Sequence, residues 1–554
     1  MNPSKDKVFN IASLLTQMAR FQPYKRAVVC PSGRDDDGRV TYTHLTFRQL
    51  DMESDCLAHG LESVGVGKGV RTLIMVKPGL DFFALTFALF KTGAIPVVVD
   101  PGMGLKGMIR CIRDSRPEAF IGISQAHAVR IMNPGAFKSV HIPITVGSRW
   151  FWGGVTLRQI RKVPWQSYIP VPTIRNDTAA ILFTSGSTGP AKGAVYTHGN
   201  FEAQIQTIQS HFQIAEDEVD LPTFPLFALF DPALGMTAVV PDMDFTKPAE
   251  VDPEKIIEAI INQGVTNMFA SPALLNRVGG FGKQNGIKLP SLKRVVSAGA
   301  PVSAANIEQF TSVLCDSAEV HTPYGATEAV PVASISSQEI LNETRRLAEK
   351  GYGTCVGRPL NGLDIRIIRI SDSPINQWKD DLVMDASEIG EIAVKGDLVT
   401  LHYFENAEAD SINKIRNGKE TWHRMGDLGW IDRKGRLWYC GRKSHRVLTE
   451  NGPLYTIPCE AIFNTHPQVF RSALVGVGDA PRQNPVICIQ VHPSDPNVDL
   501  KALESELLQL ASQHILTRDI TTILFPKSFP VDVRHNSKIF REELAEWAGR
   551  KIKS

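Results

Sequence analysis

A chain of 554 residues with 43% apolar and 21% charged residues has the composition of a globular protein with more than one core. A formal net charge of +2 excludes a broad electrostatic attraction for nucleic acid or an anionic membrane. Eight cysteines, scattered from Cys30 to Cys488 without a CxxC pair or zinc spacing, read as buried reduced thiols of a cytoplasmic protein.

The first 21 residues have apolar positions at helical spacing and early charges, without the apolar core of a signal peptide. They predict a helix that docks on its own chain. "RTLIMVK", 71–77, predicts a strand. "FFALTFALF", 82–90, is too short to span a bilayer and predicts a buried helix stopped at Gly93. A buried strand follows at 94–100. Further strands are predicted at 179–185, 223–227, 265–271 and 292–300, with a helix at 253–264 between them. Such alternation argues for doubly wound α/β layers, whose ligands sit beyond the carboxyl ends of the strands. Near residue 360 the pattern changes to short antiparallel strands, "LDIRIIRI", "GEIAVKG" and "GRLWYCGR", around an exposed loop at 372–387. Beyond 445 it changes again, to a smaller α+β unit. The boundary falls at 442–445, where charged and small residues suit a hinge.

The stretch "LFTSGSTGPAKGAVYTHGN", 182–200, carries the chemistry. Gly186 and Gly189 permit positive φ and close backbone approach, and Thr184, Ser185, Ser187 and Thr188 supply hydroxyls. Successive N–H groups in such a loop make an anion-binding nest, and Lys192 adds a cation. A Walker A loop requires glycine before the lysine; here Ala191 precedes Lys192. A polar hairpin turn is the plain alternative for a generic Ser/Gly loop.

The string "TSGSTGPAKGA", 184–194, resembles the phosphate loop of the adenylate-forming (AMP-binding) superfamily. Other blocks resemble that family in order: "KTGAIPVVVDPG" at 91–102, "SAGAP" at 297–301, "YGATE" at 324–328, "WHRMGDLG" at 422–429 followed by Gly441 and Arg442, and "NSKIFREEL" at 536–544. The resemblance spans about residues 45–545. It implies a large N-terminal domain, 1–441, of doubly wound sheets plus a distorted β-barrel, a hinge at 442–445, and a small mobile α+β lid, 446–554.

It also implies ATP and Mg²⁺ as reactants. Thr184 to Gly189 and Lys192 would hold phosphates, and Gly299, Ala300 and Pro301 would border adenine. Tyr324, followed by Gly325, would stack on the base, and Thr327 would lie near the α-phosphate. Glu328 would bind magnesium, with Thr188 a second candidate contact. Asp427 would accept from the ribose hydroxyls beside Arg442, and Lys538 would bridge carboxylate and α-phosphate. The residue types suit these roles: a π-face meets a purine, a carboxylate meets a hard cation, and a lysine meets developing negative charge. Met425, Ser444, His445 and Ser537 depart from the family's usual residues.

The acceptor of the acyl group decides the function. Ala228 stands where many members carry histidine, and the residues after Lys538 predict no carrier domain. The texture of "HTPYGATEAVPVASISSQEI", 321–340, resembles the β-lactone synthetases of bacterial olefin biosynthesis. That implies a long-chain 2-alkyl-3-hydroxy acid as substrate, closed to a lactone by its own hydroxyl, and other enzymes of the hydrocarbon pathway as partners. A fatty acyl-CoA or acyl-AMP ligase is the alternative. "FPLFALFDPALGM", 224–236, offers lining for an apolar tunnel, or simply core.

Overall fold

The structure is a computed structural model that describes residues 8–162, 165–184, 191–224, 229–492, 498–531 and 539–553. Helix Leu80–Thr92 is buried along almost its whole length, so its sequence is apolar on every face. Gly93, at φ +69°, ends it in the left-handed conformation. Lys91 is wholly buried in that helix and pairs with Asp51 at 2.7 Å and Asp55 at 2.5 Å. The block "KTGAIPVVVDPG" is therefore anchored by an ion pair as well as by packing. Helix Pro253–Gln263 shows the start and stop expected of it: the Asp252 side chain accepts from Glu254 N, and Gly264 closes it.

Two large sheets form the body. In the first, the order is Val155–Thr156, Ile142–Val146, Ala119–Ile123, Arg71–Met75, Ile95–Val99, Thr178–Thr184 and Lys192–Thr197. All these neighbours are parallel except the last pair. In the second, strands Thr237–Val239, Val219–Pro222, Asn267–Ala270, Arg294–Ser297 and Glu319–Ala326 run parallel. Pairing then continues antiparallel through Ala329–Ser336, Thr354–Pro359, Leu437–Arg442, Glu420–Ile431, Gly390–Gly396 and Leu363–Ile368. The doubly wound architecture and the antiparallel module are thus as expected, joined here by continuous pairing.

The strand predicted at 223–227 is displaced. The chain is extended at Val219–Pro222, bends at Thr223 and Phe224, and residues 225–228, Ala228 among them, lie outside the described residues. Buried Asp220 interrupts the apolar pattern in the true strand, so the sequence masked it. Helix Ser13–Phe21 docks on its own chain, burying Leu15 and Ala19. Six of the eight cysteines are buried; Cys315 is exposed and Cys56 half-buried.

After Arg442 comes a single turn, Lys443–His445. Strands Val469–Val477, Asn484–Val491 and Thr522–Leu524 form a separate sheet. It is covered by helices Thr456–Phe463, Leu500–Ser512 and Arg541–Lys553, around a core that includes Phe463, Leu474, Ile487 and Leu507.

Candidate active site

The two large sheets meet where the family's blocks converge. Strand Thr178–Thr184 leads into the phosphate loop, and its partner begins at Lys192, opposite Thr184. Ser185, Gly186, Ser187, Thr188 and Gly189 lie outside the described residues, as does Lys538. The return strand is stitched to segment 402–404: Val195 N donates to His402 O at 3.2 Å and Phe404 N to Gly193 O at 2.8 Å. This pairing sets Tyr403 opposite Ala194.

From the second sheet, Ser297 closes a parallel strand and Gly299 turns the chain at φ +94°. Ala300 and Pro301 follow it in the same bend. Strand Glu319–Ala326 carries Tyr324 and Gly325 to the same edge. A Cβ at Gly325 would stand 2.5 Å from the Ala329 carbonyl oxygen, so the turn that presents Thr327 and Glu328 needs glycine there.

Three of the expected residues are in contact. Tyr324 OH donates to Asp427 Oδ2 at 2.6 Å, and Arg442 Nη1 lies 2.9 Å from Asp427 Oδ1. That Arg442 nitrogen also donates to the Met425 carbonyl at 3.2 Å, and Oδ1 has no hydrogen-bond donor among the described residues. Burial pushes the Asp427 carboxyl above its usual range, against the opposing pull of Arg442 and Tyr324. The same Asp427 charge raises the Arg442 guanidinium. A buried carboxylate oxygen without a donor is a good acceptor for a hydroxyl brought by a ligand, and a ribose fits that requirement. Met425 packs in the core of the antiparallel module, as its lack of a hydroxyl allows.

Glu328 belongs to a second cluster. Tyr403 OH donates to Glu328 Oε1 at 2.5 Å, and Tyr196 OH donates to the Thr327 carbonyl. Lys192 Nζ lies 5.3 Å from the centroid of the Tyr403 ring, and Lys414 Nζ lies 5.5 Å from it. Lys414 is buried and donates to the Thr400 carbonyl and, at 3.3 Å, to Thr400 Oγ1. Desolvation lowers its pKa to about 8, partly offset by Glu328 and Asp410. Sequence reading missed Tyr403, Lys414 and Tyr196. Only the position of "HYF" between two recognised blocks hinted at the first. Among the described residues no three His, Cys, Asp or Glu side chains converge on one point. A cation beside Glu328 would draw its other ligands from phosphate and water, as suits Mg²⁺.

Residues 15–404 match the family described as AMP-binding enzyme. The chain belongs to the AMP-binding enzyme family. It is an AMP-forming ligase. The chain is 45% identical over 548 residues to an olefin β-lactone synthetase of Xanthomonas campestris pv. campestris, covering 98% of both chains. It is equally identical over 551 residues to one from Stenotrophomonas maltophilia, again over 98% of each. The fold matches an anthranilate CoA ligase in complex with anthranoyl-AMP, with TM-score 0.79 and 18% identity over 99% and 98% of the two chains. It also matches O-succinylbenzoate coenzyme A synthetase of Bacillus subtilis in complex with AMP, with TM-score 0.74 and 20% identity over 97% and 98%. No described helix of this AMP-binding enzyme is long and apolar enough to cross a membrane.

Proposed function

We propose that this enzyme converts a long-chain 2-alkyl-3-hydroxy acid and ATP into a β-lactone, AMP and pyrophosphate. The observation that carries the reading is end-to-end identity of 45% with two olefin β-lactone synthetases. In the first half-reaction a carboxylate oxygen attacks the α-phosphorus, and the bond to the pyrophosphate oxygen breaks. In the second, the β-hydroxyl oxygen attacks the acyl carbon, the bond to AMP breaks, and the hydroxyl proton leaves.

The chain's residues bind, orient and neutralise. Asp427 accepts from ribose, and Tyr324, held by its bond to Asp427, offers its ring to the base. The loop 184–189 and Lys192 hold phosphates, Thr327 serves the α-phosphate, and Glu328 would hold Mg²⁺, which would supply positive charge to the phosphates. Lys538 neutralises charge at the α-phosphate when the unit 446–554 turns about 442–445. The separate core of that unit and its single short connection support a hinge. Residues 224–236 contribute to the acyl tunnel. Partners are other enzymes of the same hydrocarbon pathway, in the cytoplasm.

The test is turnover with a β-hydroxy acid and ATP·Mg²⁺, with and without coenzyme A. Lactone and AMP without coenzyme A support the reading. Turnover only with coenzyme A, giving thioester, would assign a fatty acyl-CoA ligase, and an adenylate released unchanged would assign an acyl-AMP ligase.

A further inference from the structure

The net charge of +2 conceals a strong segregation. Between Glu118 and Asp177 the chain has no acidic residue, although Asp and Glu number 58 in the whole chain. A stretch of this length would hold about six at that frequency. It holds seven cations, from Arg130 to Arg175. Arg161 pairs with Glu53 and Asp81, and Arg175 with Glu202. Arg130, Lys138, Arg149, Arg158 and Lys162 have no acidic partner among the described residues.

An aromatic tip stands within this basic stretch. The loop after strand Ile142–Val146 reads "GSRWFWGG", 147–154. Trp150 is 63% exposed and Phe151 82%. They are held out by a fixed base. Trp152 stacks on buried His127 at 5.2 Å with the rings 4° from parallel, and its Nε1 donates to Thr145 Oγ1 at 3.0 Å. Trp150 and Phe151 lie 5.3 and 5.7 Å from the Trp152 ring. Arg149 donates across the loop to the Gly154 carbonyl. A Cβ at Gly154 would stand 2.1 Å from the Pro143 carbonyl oxygen, and its φ is +76°, so glycine closes the loop tightly. Arg130, whose Nη2 donates to Trp152 O at 3.3 Å, leads into exposed Ile131 and Met132. The loop lies beside the edge strand Val155–Thr156, on the carboxyl edge of the sheet that carries the phosphate loop.

We infer that the tip at 150–151 and its basic surround form a docking surface for an anionic lipid bilayer. Two large apolar rings held in the open are costly in water and suit the headgroup–acyl boundary. The cations at the base of the tip, Arg130 and Arg149, in a stretch with no acid of its own, match a negatively charged leaflet. Phe151 has no polar atom to pair with a protein rim, and the tip protrudes rather than forming a groove. The assignment does not depend on the enzyme's substrate; a long-chain acid would, however, reach the site from the same bilayer.

The full chain is mixed with vesicles of phosphatidylcholine alone, or of phosphatidylcholine with phosphatidylglycerol, and the bound fraction is measured by flotation. The expected result is binding to the second only, weakened by salt, and reduced about tenfold in Trp150→Ser/Phe151→Ser. Arg158→Gln/Lys162→Gln, which leaves the tip rings and their Arg149 brace intact, should weaken the preference for phosphatidylglycerol. Wild-type protein that stays off both vesicles overturns the inference, as does binding undiminished in both variants. Association with a second protein through the tip, without vesicle binding, overturns it in favour of a protein interface.

Discussion

Replacing Lys414 by methionine should strengthen the fold at neutral pH and weaken adenylation. The ammonium is buried beside the Tyr403 ring and bonds only to Thr400 among the described residues. Burial lowers its pKa from 10.5 to about 8. That shift sets ~3 kcal/mol against the folded state wherever the group is protonated in both states. Losing the donor to Thr400 returns about 1–2 kcal/mol of that. The variant should therefore gain about 1 kcal/mol at pH 7, the remainder of these two effects. The sign follows from the protons. Between pH 8 and 10.5 the unfolded lysine holds a proton that the folded one has released, so wild-type stability rises through that window. The variant's advantage should shrink from about pH 8 upward, by ~1.4 kcal/mol per pH unit, and reverse at about pH 9. Urea melts at pH 7, 8.5 and 10 measure this directly, and pyrophosphate release reports the loss of a cation from the Glu328 cluster. A variant less stable at pH 7, with a deficit that does not change with pH, would refute the reasoning.

Tyr403→Phe removes the 2.5 Å bond to Glu328 while keeping the ring beneath Lys192 and Lys414. A hydrogen bond to a charged group contributes about 1.5–3 kcal/mol to stability, so urea melts should show a loss of about that size, and pyrophosphate release should slow because Glu328 is no longer held. Asp231 is buried with no partner for Oδ2 among the described residues, and burial beside Asp220 raises its pKa well above the usual carboxylate range. Folded protein thus holds a proton that unfolded chain releases, and stability falls as pH rises above the carboxylate range; Asp231→Asn should be stabilising at pH 8 and progressively less so toward pH 4 in parallel urea melts. Lys538→Ala should abolish adenylate formation, measured by exchange of labelled pyrophosphate into ATP, with an unchanged far-ultraviolet spectrum; an unaffected exchange rate would remove the lysine from the mechanism.

What could be read in the sequence followed from local chemistry. Glycine stops and apolar runs gave the buried helix at 80–92 and the strands of the first sheet, because each is decided within a few residues. The blocks that bring Tyr324, Glu328, Asp427 and Arg442 to one edge were legible for the same reason. Strand Val219–Pro222 was not, since buried Asp220, with Asn267 as its donor, breaks the apolar pattern that marks a strand. Tyr403 and Lys414 were hidden differently. Their roles come from pairing across the junction of two sheets, Ala194 with Tyr403, which no local spacing encodes. The aromatic tip escaped notice because a whole-chain charge of +2 averages away a 58-residue stretch free of acids.

The central claim is that the substrate's own hydroxyl completes the reaction. A β-hydroxy acid labelled with ¹⁸O at the hydroxyl, turned over with ATP·Mg²⁺ and no coenzyme A, tests it most directly. The account predicts the label in the ring oxygen of the lactone and none in AMP. Label recovered in AMP would mean that the hydroxyl, not the carboxylate, is adenylated, and would contradict it.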